Sequence, residues 1–442
     1  MKRQVMRFEP GAPAIIDAGQ EVKLHFDMDE AGIAEFMLTA ACDGDWLVEG
    51  RESVMLQVLL NGEYNQDMIL FYGDRWLEYP RLLGYLEAGS YEVELRFHGL
   101  SSPGTRQAKV KEAAVHWVER DSELGLVYRY APLLYGRELG HPVESRYTDT
   151  PLLVFYTLER NEAGTVLEYQ VLYSHEDEGT PAPMLMAKWG RLTDIEWTLR
   201  VVLGRDGEWI GATYQGLHHV TTEFKGLTML GGHPVLQSAS AHGMVTDVPT
   251  SGYRLLLTPV YRWNPAAEPR ERAMDAFPFT YRMMAWEYQR HRYLSQLPAV
   301  GTGAEPWQVM DVRDYLYVQT SKWAHEPALQ KATSIDVRVK LKGSDAIYSS
   351  SFGDWQLAGF RAVYNGPYEW FSTTVKLPSG TVISDIEEIA AVWLEGGDRI
   401  VTVRGLKAFM LNDDYLPGVA IETSKELTMS ADEPIGRLWS EA

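Results

Sequence analysis

The chain has 442 residues, a length that suggests about three domains of ordinary size. Its formal charge of −20 and its pI near 5.0 argue against nucleic acids and anionic membrane surfaces as partners, because both would repel it. The 45% hydrophobic and 23% charged residues are typical of a globular protein, whereas the aromatic share of 12% is high.

The N-terminus, MKRQVMRFEPGAP, has the basic start of a signal peptide without the apolar stretch that must follow. No run of residues approaches the roughly 18 apolar positions of a membrane span. Cys42 is the only cysteine, so the chain cannot form an internal disulfide. We therefore expect a cytoplasmic protein that does not bind membranes, with a mature secreted form as the alternative.

Residues 1–120 are predicted to form an antiparallel β-sandwich of jelly-roll type. Asn61-Gly62 separates two apolar runs, and both residues tolerate the positive φ of a two-residue hairpin. The stretch GSYEVELRFHG alternates apolar and charged side chains, as a half-buried strand does.

The hairpin, the aromatic stretch GDRWLEYP and the strand LEAGSYEVELRF together resemble carbohydrate-binding modules and the jelly rolls of sugar-active enzymes. The resemblance implies that Trp76 and Tyr79 stack on a sugar ring. The alternative is that both rings fill the end of the sandwich.

Three further regions follow along the chain, giving a mostly β fold of three antiparallel jelly-roll-like sandwiches with a short helical connector. A central sandwich is predicted over 121–265, and the connector and linker over 266–305, where Pro278 interrupts a helical pattern. A C-terminal sandwich over 306–425 rests on alternating stretches such as TSIDVRVKLKG. Residues 426–442 are expected to be an acidic tail.

The strand TDIEWTLRVVL carries the candidate site of the central sandwich. With a period of two, the core face holds Ile195, Trp197, Leu199, Val201 and Leu203. The opposite face then carries Asp194 and Glu196 about 7 Å apart, followed by Arg200.

Five of the eleven histidines fall near this strand in sequence: His175, His218, His219, His233 and His242. We therefore expect a shared polar site. Its candidate catalytic residues are Asp194 and Glu196. Its candidate ligand-binding residues are Trp189, Arg191, Arg200 and His219, together with Trp76 and Tyr79, and its candidate metal ligands are His175, Glu176, His233 and His242.

Two chemistries suit such a set. Two carboxylates separated by roughly 5 to 9.5 Å can cleave a glycosidic bond. Alternatively, carboxylates with imidazoles bind a divalent cation: calcium if the ligands are oxygens, manganese or zinc if histidines take part. The chain has no H-E-x-x-H, G-x-S-x-G, Walker or Rossmann motif, which argues against zinc proteases, α/β-hydrolases and common nucleotide enzymes.

Three stretches of the central segment resemble the β-sandwich family named for the sixty-second vacuolar protein sorting factor and, more remotely, secreted necrosis-inducing toxins. They are YAPLLY at 130–135, TDIEW at 193–197 and GHPVLQSASAHG at 232–243. The resemblance matches Asp194 and Glu196 to an acidic pair and His233 and His242 to downstream histidines. The sequence departs from the family pattern at Ile195, where an aromatic residue is expected, and at Arg191-Leu192, where a histidine is expected.

The sequence thus favours a carbohydrate-associated protein that binds or cleaves a glycan on the central sandwich. The alternative is a non-enzymatic scaffold of β-sandwiches that holds a structural divalent cation.

Overall fold

A computed structural model describes residues 2–6, 13–138, 150–175, 182–226, 229–241, 243–293, 309, 311–351, 356–357, 360–361 and 365–441. Strands account for 53% of the residues and helices for 12%, so the predicted mostly β fold is confirmed. The chain divides into two compact units. Unit 1 comprises Met1–His175 and Ile195–Arg262, and unit 2 comprises Glu176–Asp194 and Trp263–Ala442.

The N-terminal part of unit 1 is a two-sheet sandwich. Its strands are β1 (Lys2–Met6), β2 (Ala14–Asp17), β3 (Glu21–Met28), β4 (Gly32–Cys42), β5 (Val54–Leu60), β6 (Glu63–Leu70), β7 (Leu77–Leu86), β8 (Gly89–Phe97) and β9 (Gln107–Val118). One sheet has the order β1-β9-β4-β7, with β2 also paired to β9, and the other has the order β3-β8-β5-β6. All of these pairs are antiparallel.

The predicted hairpin is confirmed between β5 and β6. Asn61 and Gly62 have φ values of 51° and 81°, as the type of turn that matches strand twist requires. The strand predicted from GSYEVELRFHG is β8, in which Val93 and Leu95 are fully buried. Local sequence patterns therefore determine this part of the sandwich.

The central part of unit 1 is a second pair of sheets. Its elements are α1 (Glu123–Arg129), β10 (Leu133–Tyr135), β11 (Pro151–Asn161), β12 (Gly164–Tyr173), β13 (Ile195–Leu203), β14 (Trp209–Gly216), a 3₁₀ turn (Leu217–His219), β15 (Val220–Glu223), β16 (Met229–Leu230), β17 (His233–Ser238), β18 (Val245–Thr246), β19 (Arg254–Leu255) and β20 (Pro259–Arg262). One sheet has six strands in the order β15-β14-β13-β12-β11-β20, and the other has the order β16-β17-β10-β19 with β18 on β17. The pairs β10–β17 and β11–β20 are parallel, whereas the prediction had only antiparallel sheets.

Hydrogen bonds join the two parts of unit 1 next to strand β7. The backbone N–H of Leu82 donates to the carbonyl of Leu256 over 3.0 Å. The side chain of Gln66 accepts from the N–H of Leu256 over 2.8 Å and donates to the carbonyl of Leu82 over 2.6 Å. Arg254 donates to the carbonyls of Asn65 and Tyr64, each over 2.8 Å. Residues 1–120 therefore share one compact unit with the central segment.

Glu35 of β4 is buried at this junction, with 6% of its surface exposed. Burial raises the pKa of its carboxyl to about 7, and the neighbouring side chains of Thr258 and Tyr128 only partly offset that rise. Nδ1 of His116 lies 3.6 Å from the carboxylate. The junction thus contains a titratable group whose charge changes near neutral pH.

Unit 2 contains three of the four α-helices in the described residues and a two-sheet sandwich. Its helices are α2 (Ala182–Trp189), α3 (Arg272–Ala276) and α4 (Phe279–Tyr293), with 3₁₀ turns at Val312–Asp314, Pro327–Leu329 and Ile383–Asp385. Its strands are β21 (Tyr315–Ser321), β22 (Trp323–Ala324), β23 (Ile335–Leu341), β24 (Ile347–Ser349), β25 (Gln356–Leu357), β26 (Phe360–Arg361), β27 (Trp370–Lys376), β28 (Ile386–Trp393), β29 (Ile400–Leu411), β30 (Pro417–Ser430) and β31 (Ile435–Ser440).

The sheets of unit 2 have the orders β22-β29-β21-β27, with β30 on β29, and β24-β23-β28-β31. Residues such as Leu316, Val337, Phe371, Ile389 and Val403 form the hydrophobic core of this sandwich. Strand β31 and the end of β30 lie in the region expected to be an acidic tail, and β31 pairs with β28. Pro278 separates α3 from α4, as the sequence predicts.

Helix α2 packs on strand β27 although 180 or more residues separate them. The hydroxyls of Thr373 and Thr374 donate to the carbonyls of Ala187 and Met186 over 2.6 and 2.9 Å. Both carbonyls are in the last turn of the helix, where intrahelical donors run out; that of Met186 also accepts from the N–H of Gly190 over 3.0 Å. Gly190 ends the helix with a φ of 64°, a conformation that favours glycine. Segment 182–194 therefore belongs to unit 2, although it was expected in the central sandwich.

Within the described residues, none of the helices combines the length and the apolar composition required to cross a membrane.

Candidate functional site

A β-bulge at Thr198 changes the two faces of strand β13. On β12, Glu168 is opposite Arg200 and Gln170 is opposite Trp197, so β13 contains one extra residue between these pairs. Trp197 and Arg200 consequently lie on one side of the sheet. Glu196 is opposite Val171 and therefore shares the other side with Leu199. The sequence prediction, which put Trp197 with Leu199 and Glu196 with Arg200, is wrong for this reason.

Glu168, Gln170, Trp197 and Arg200 form what we call the sheet-face cluster. Nε of Arg200 donates to Glu168 over 2.8 Å, and a second guanidinium nitrogen donates to the same oxygen. The amide of Gln170 donates to the other carboxylate oxygen over 2.6 Å. The guanidinium of Arg200 lies 4.9 Å from the centre of the Trp197 ring, a cation–π contact. The four side chains hold one another in fixed positions.

The sheet-face cluster is partly open to solvent. The side chain of Arg200 is 42% exposed and that of Glu168 is 16% exposed. Trp197 is half-buried, whereas Gln170 is fully buried. A flat aromatic ring thus lies beside guanidinium donors and a carboxylate acceptor at the surface of unit 1.

Glu196, Gln215 and His219 form a second group, the strand-end cluster. The amide nitrogen of Gln215 donates to the carboxylate of Glu196 and lies 3.0 Å from Nδ1 of His219. It also lies 3.4 Å from the sulfur of Met244. Because an amide nitrogen only donates, Nδ1 of His219 must accept and Nε2 must carry the proton.

The backbone beside the strand-end cluster is strained. His218 and His219 have φ values of 59° and 57°, in the left-handed region that costs a non-glycine residue about 1–2 kcal/mol. Both side chains are exposed. Strain of this kind occurs at binding sites more often than elsewhere, and His219 as a ligand-binding residue stays a prediction.

The predicted residues Trp189, Arg191 and Asp194 belong to unit 2, whereas Glu196 belongs to unit 1. Arg191 is 2% exposed and its Nε donates to Glu271 over 2.9 Å. It is therefore a buried ion-pair residue rather than an accessible ligand contact. Asp194 is 1% exposed. Half-buried Trp189 lies within 6 Å of three cations, those of Lys188, Arg191 and Arg270.

The two aromatic residues predicted from the jelly-roll resemblance differ in exposure. Trp76 is 41% exposed. Tyr79 is 2% exposed, contacts Phe71 edge-on at 5.3 Å between ring centres, and its hydroxyl accepts from the N–H of Tyr72 over 3.3 Å. Tyr79 is thus a core residue, as the alternative interpretation of this stretch expects. Of the two rings, only that of Trp76 is accessible to a ligand.

The predicted metal ligands do not form a metal site in the part of the chain that the structure describes. There, no three histidine, cysteine, aspartate or glutamate side chains are grouped so that they could hold a metal ion. Glu176 and His242 lie outside the described residues. His175 is buried. His233 is also buried, its Nδ1 lies 3.1 Å from the carbonyl of Ala131, and burial lowers its pKa to about 4.

Sequence reasoning missed Glu168, Gln170 and Gln215 as members of these clusters. Glu168 and Gln170 alternate with Tyr169 and Val171, so the period of two could have placed them on an outer face. Gln215 carries no such signal because its partners come from residues far along the chain or from a turn.

No known family profile matches the chain, and no curated protein does. The prediction of a vacuolar-sorting-factor-type central domain therefore stays a prediction. Parts of the chain are similar to solved structures of carbohydrate-binding modules and of enzymes that carry them. One is the CBM36-1 domain of a multidomain xylanase from the hindgut metagenome of Trinervitermes trinervoides, at 12% identity over 26% of this chain and 98% of that chain, with a TM-score of 0.21.

Two further structures are similar at the same level. A family 35 carbohydrate-binding module from Clostridium thermocellum has 11% identity over 24% of this chain and 100% of that chain, with a TM-score of 0.17. A GH26-CBM35 β-(1,4)-mannanase from Podospora anserina has 10% identity over 31% of this chain and 34% of that chain, with a TM-score of 0.19. This chain thus spans about a third of the mannanase. At these identities and TM-scores the likeness carries no conclusion about function.

Proposed function

We propose that unit 1 is a non-catalytic carbohydrate-binding unit that holds a neutral glycan at the sheet-face cluster. The observation that carries the proposal is the arrangement of Trp197, Arg200 and Glu168. A sugar ring presents an apolar face and a rim of hydroxyls, which together require a flat aromatic surface and neighbouring charged hydrogen-bonding groups.

The fixed geometry of the cluster supports this function. Arg200 and Glu168 already hold each other through two hydrogen bonds, so binding would cost little side-chain ordering. The protein's charge of −20 favours a neutral partner over a polyanionic one.

The pairing and the number of carboxylates in the sheet-face cluster favour binding over cleavage. Glu168 is held in an ion pair with Arg200. Cleavage by the usual mechanism needs two carboxylates roughly 5 to 9.5 Å apart, whereas the sheet-face cluster contains one, that of Glu168.

A glycan array of neutral oligosaccharides, followed by titration of the best ligand, tests the proposal with the full chain. We expect Trp197→Ala and Arg200→Gln each to weaken binding about tenfold or more. Arg205→Gln is the matched control, because Arg205 is exposed on the β13–β14 turn outside the cluster. Binding to no glycan, or equal binding by Arg200→Gln and the wild type, would refute the proposal.

Release of sugar from the bound glycan separates binding from cleavage. We expect no release by the wild type, by Asp194→Asn or by Glu196→Gln. Release by the wild type that Glu196→Gln abolishes would show that the strand-end cluster is catalytic instead.

A further inference from the structure

A cavity of about 190 Å³ in unit 1 is lined by none of the residues of the two clusters described above. Its lining includes Ile33 and Tyr85, which are opposite each other on β4 and β7, and the segment Gly231–His233. Arg120 follows β9, and Arg129 is the last residue of α1. The volume is below the roughly 300 to 1,000 Å³ of sites for drug-sized ligands, so the cavity suits a single small molecule. We call it the arginine pocket.

Among the residues that the structure describes, the two arginines of the pocket have aromatic neighbours but no acidic partner. The guanidinium of Arg120 lies 5.4 Å from the centre of the Tyr85 ring, and that of Arg129 lies 5.0 Å from the centre of the Tyr130 ring. Neither forms a salt bridge with any carboxylate among the described residues. Their N–H donors remain available to an anion.

His233 provides an acceptor at the same cavity. The ring is 3% exposed. Its Nδ1 lies 3.1 Å from the carbonyl of Ala131, and since a carbonyl only accepts, Nδ1 must carry the proton. Nε2 therefore has a free lone pair, and no described residue donates to it. Its pKa, lowered to about 4 by burial, keeps the ring neutral at pH 7, so this acceptor persists.

Glycines keep the space in front of this ring open. Gly84 has a φ of 100°, and a Cβ atom there would lie 4.0 Å from Nε2 of His233. Gly231 has a φ of 60°, and a Cβ atom there would lie 3.9 Å from the same ring. The left-handed backbone at both positions favours glycine, so no side chain projects toward His233 from either of them.

We propose that the arginine pocket binds a small hydroxylated organic anion. The anionic group, a carboxylate or a phosphate, accepts hydrogen bonds from Arg120 and Arg129. A hydroxyl of the ligand donates to Nε2 of His233, and its apolar side packs against Ile33 and the Tyr85 ring. This site is separate from the proposed glycan surface and does not depend on it.

Isothermal titration of the full chain with three matched probes tests the proposal. Glucuronate presents a carboxylate, glucose 6-phosphate presents a phosphate, and glucose presents neither. We expect at least one of the two anions to bind at least tenfold more tightly than glucose, because only an anion engages both guanidinium groups. The relative affinities of glucuronate and glucose 6-phosphate identify the anionic group.

Variants assign the binding to the pocket. We expect Arg120→Gln and Arg129→Gln each to weaken anion binding about tenfold or more. Arg75→Gln, at the opposite end of β7 with a side chain 46% exposed, should bind like the wild type. Trp197→Ala should also bind the anion normally, which separates this proposal from the glycan surface. Three results would each overturn the proposal. They are no heat of binding with either anion at millimolar concentration, equal affinity for the anions and for glucose, and unchanged anion affinity in both arginine variants.

Discussion

Glu35 should make unit 1 less stable as the pH rises from about 4.5 to about 7. The pKa of its carboxyl is raised to about 7 in the folded protein, above the ordinary value of 4.5. Between these values the folded state keeps a proton that the unfolded state has lost, so folding is favoured most below pH 4.5 and that contribution is lost as the pH rises through about 7. Glu35→Gln replaces the carboxyl by a neutral group of the same shape and should abolish the loss.

The size of this effect follows from the pKa difference. A difference of about 2.5 pH units at about 1.36 kcal/mol per unit gives roughly 3 kcal/mol. With a urea m-value of about 3 kcal/mol/M, the unfolding midpoint of unit 1 should fall by about 1 M more in the wild type than in Glu35→Gln.

Urea unfolding followed by tryptophan fluorescence, between about pH 4.5 and 8, measures the two profiles. His116, which lies 3.6 Å from Glu35, is present in both proteins, so the difference between them isolates the carboxyl. Glu87→Gln, at an exposed position of the same sandwich, is the control and should follow the wild type. Parallel profiles for the wild type and Glu35→Gln would refute the reasoning that burial controls this group.

Three other predictions concern single features of the fold. Glu271→Ala leaves Arg191 buried without its carboxylate partner and should lower the free energy of unfolding of unit 2 by about 3–5 kcal/mol in urea unfolding. The double variant with Arg191→Met should lose less stability than the two single variants lose together. Gly62→Ala should lower thermal stability by about 1–2 kcal/mol, because the φ of Gly62 is 81° and its surroundings are open, so only backbone strain acts. Gly99→Ala is the control: its surroundings are also open but its φ is not positive, so it should lose much less stability. Burial lowers the pKa of Lys322 to about 7 from 10.5, so between these values the unfolded state binds a proton that the folded state has lost. The free energy of unfolding of unit 2 should therefore rise by up to roughly 5 kcal/mol as the pH rises from 7 to 10.5, and Lys322→Met should show no such rise in urea unfolding.

Elements controlled by neighbours in sequence could be predicted. The turn at Asn61-Gly62 and the alternation in β8 and β23 depend on residues within one hairpin or one strand. In β23 the apolar positions Ile335, Val337, Val339 and Leu341 are buried as expected. The period of two is a property of the backbone itself, which explains why it identifies strands reliably.

Features that depend on distant partners could not be predicted. The bulge at Thr198 arises from a one-residue register shift in the pairing of β12 with β13. Nothing in TDIEWTLRVVL indicates this shift. Gln215 joins Glu196 and His219 only after β14 pairs with β13. Strand β31 was mistaken for a tail because its short pattern, IGRLWS, is stabilised by pairing with β28 rather than by its own composition.

The position of α2 between β12 and β13 also has a consequence for synthesis on the ribosome. Strands β12 and β13 can pair soon after they leave the ribosome, but Thr373 and Thr374, which donate to carbonyls in the last turn of α2, are made 186 and 188 residues after their partners. At about 5–20 residues per second, α2 waits roughly 10 to 40 s for strand β27. During that interval its apolar side chains, including Met184, Leu185 and Met186, lack the cover that β27 provides, which makes this helix a segment of the growing chain that a chaperone would protect.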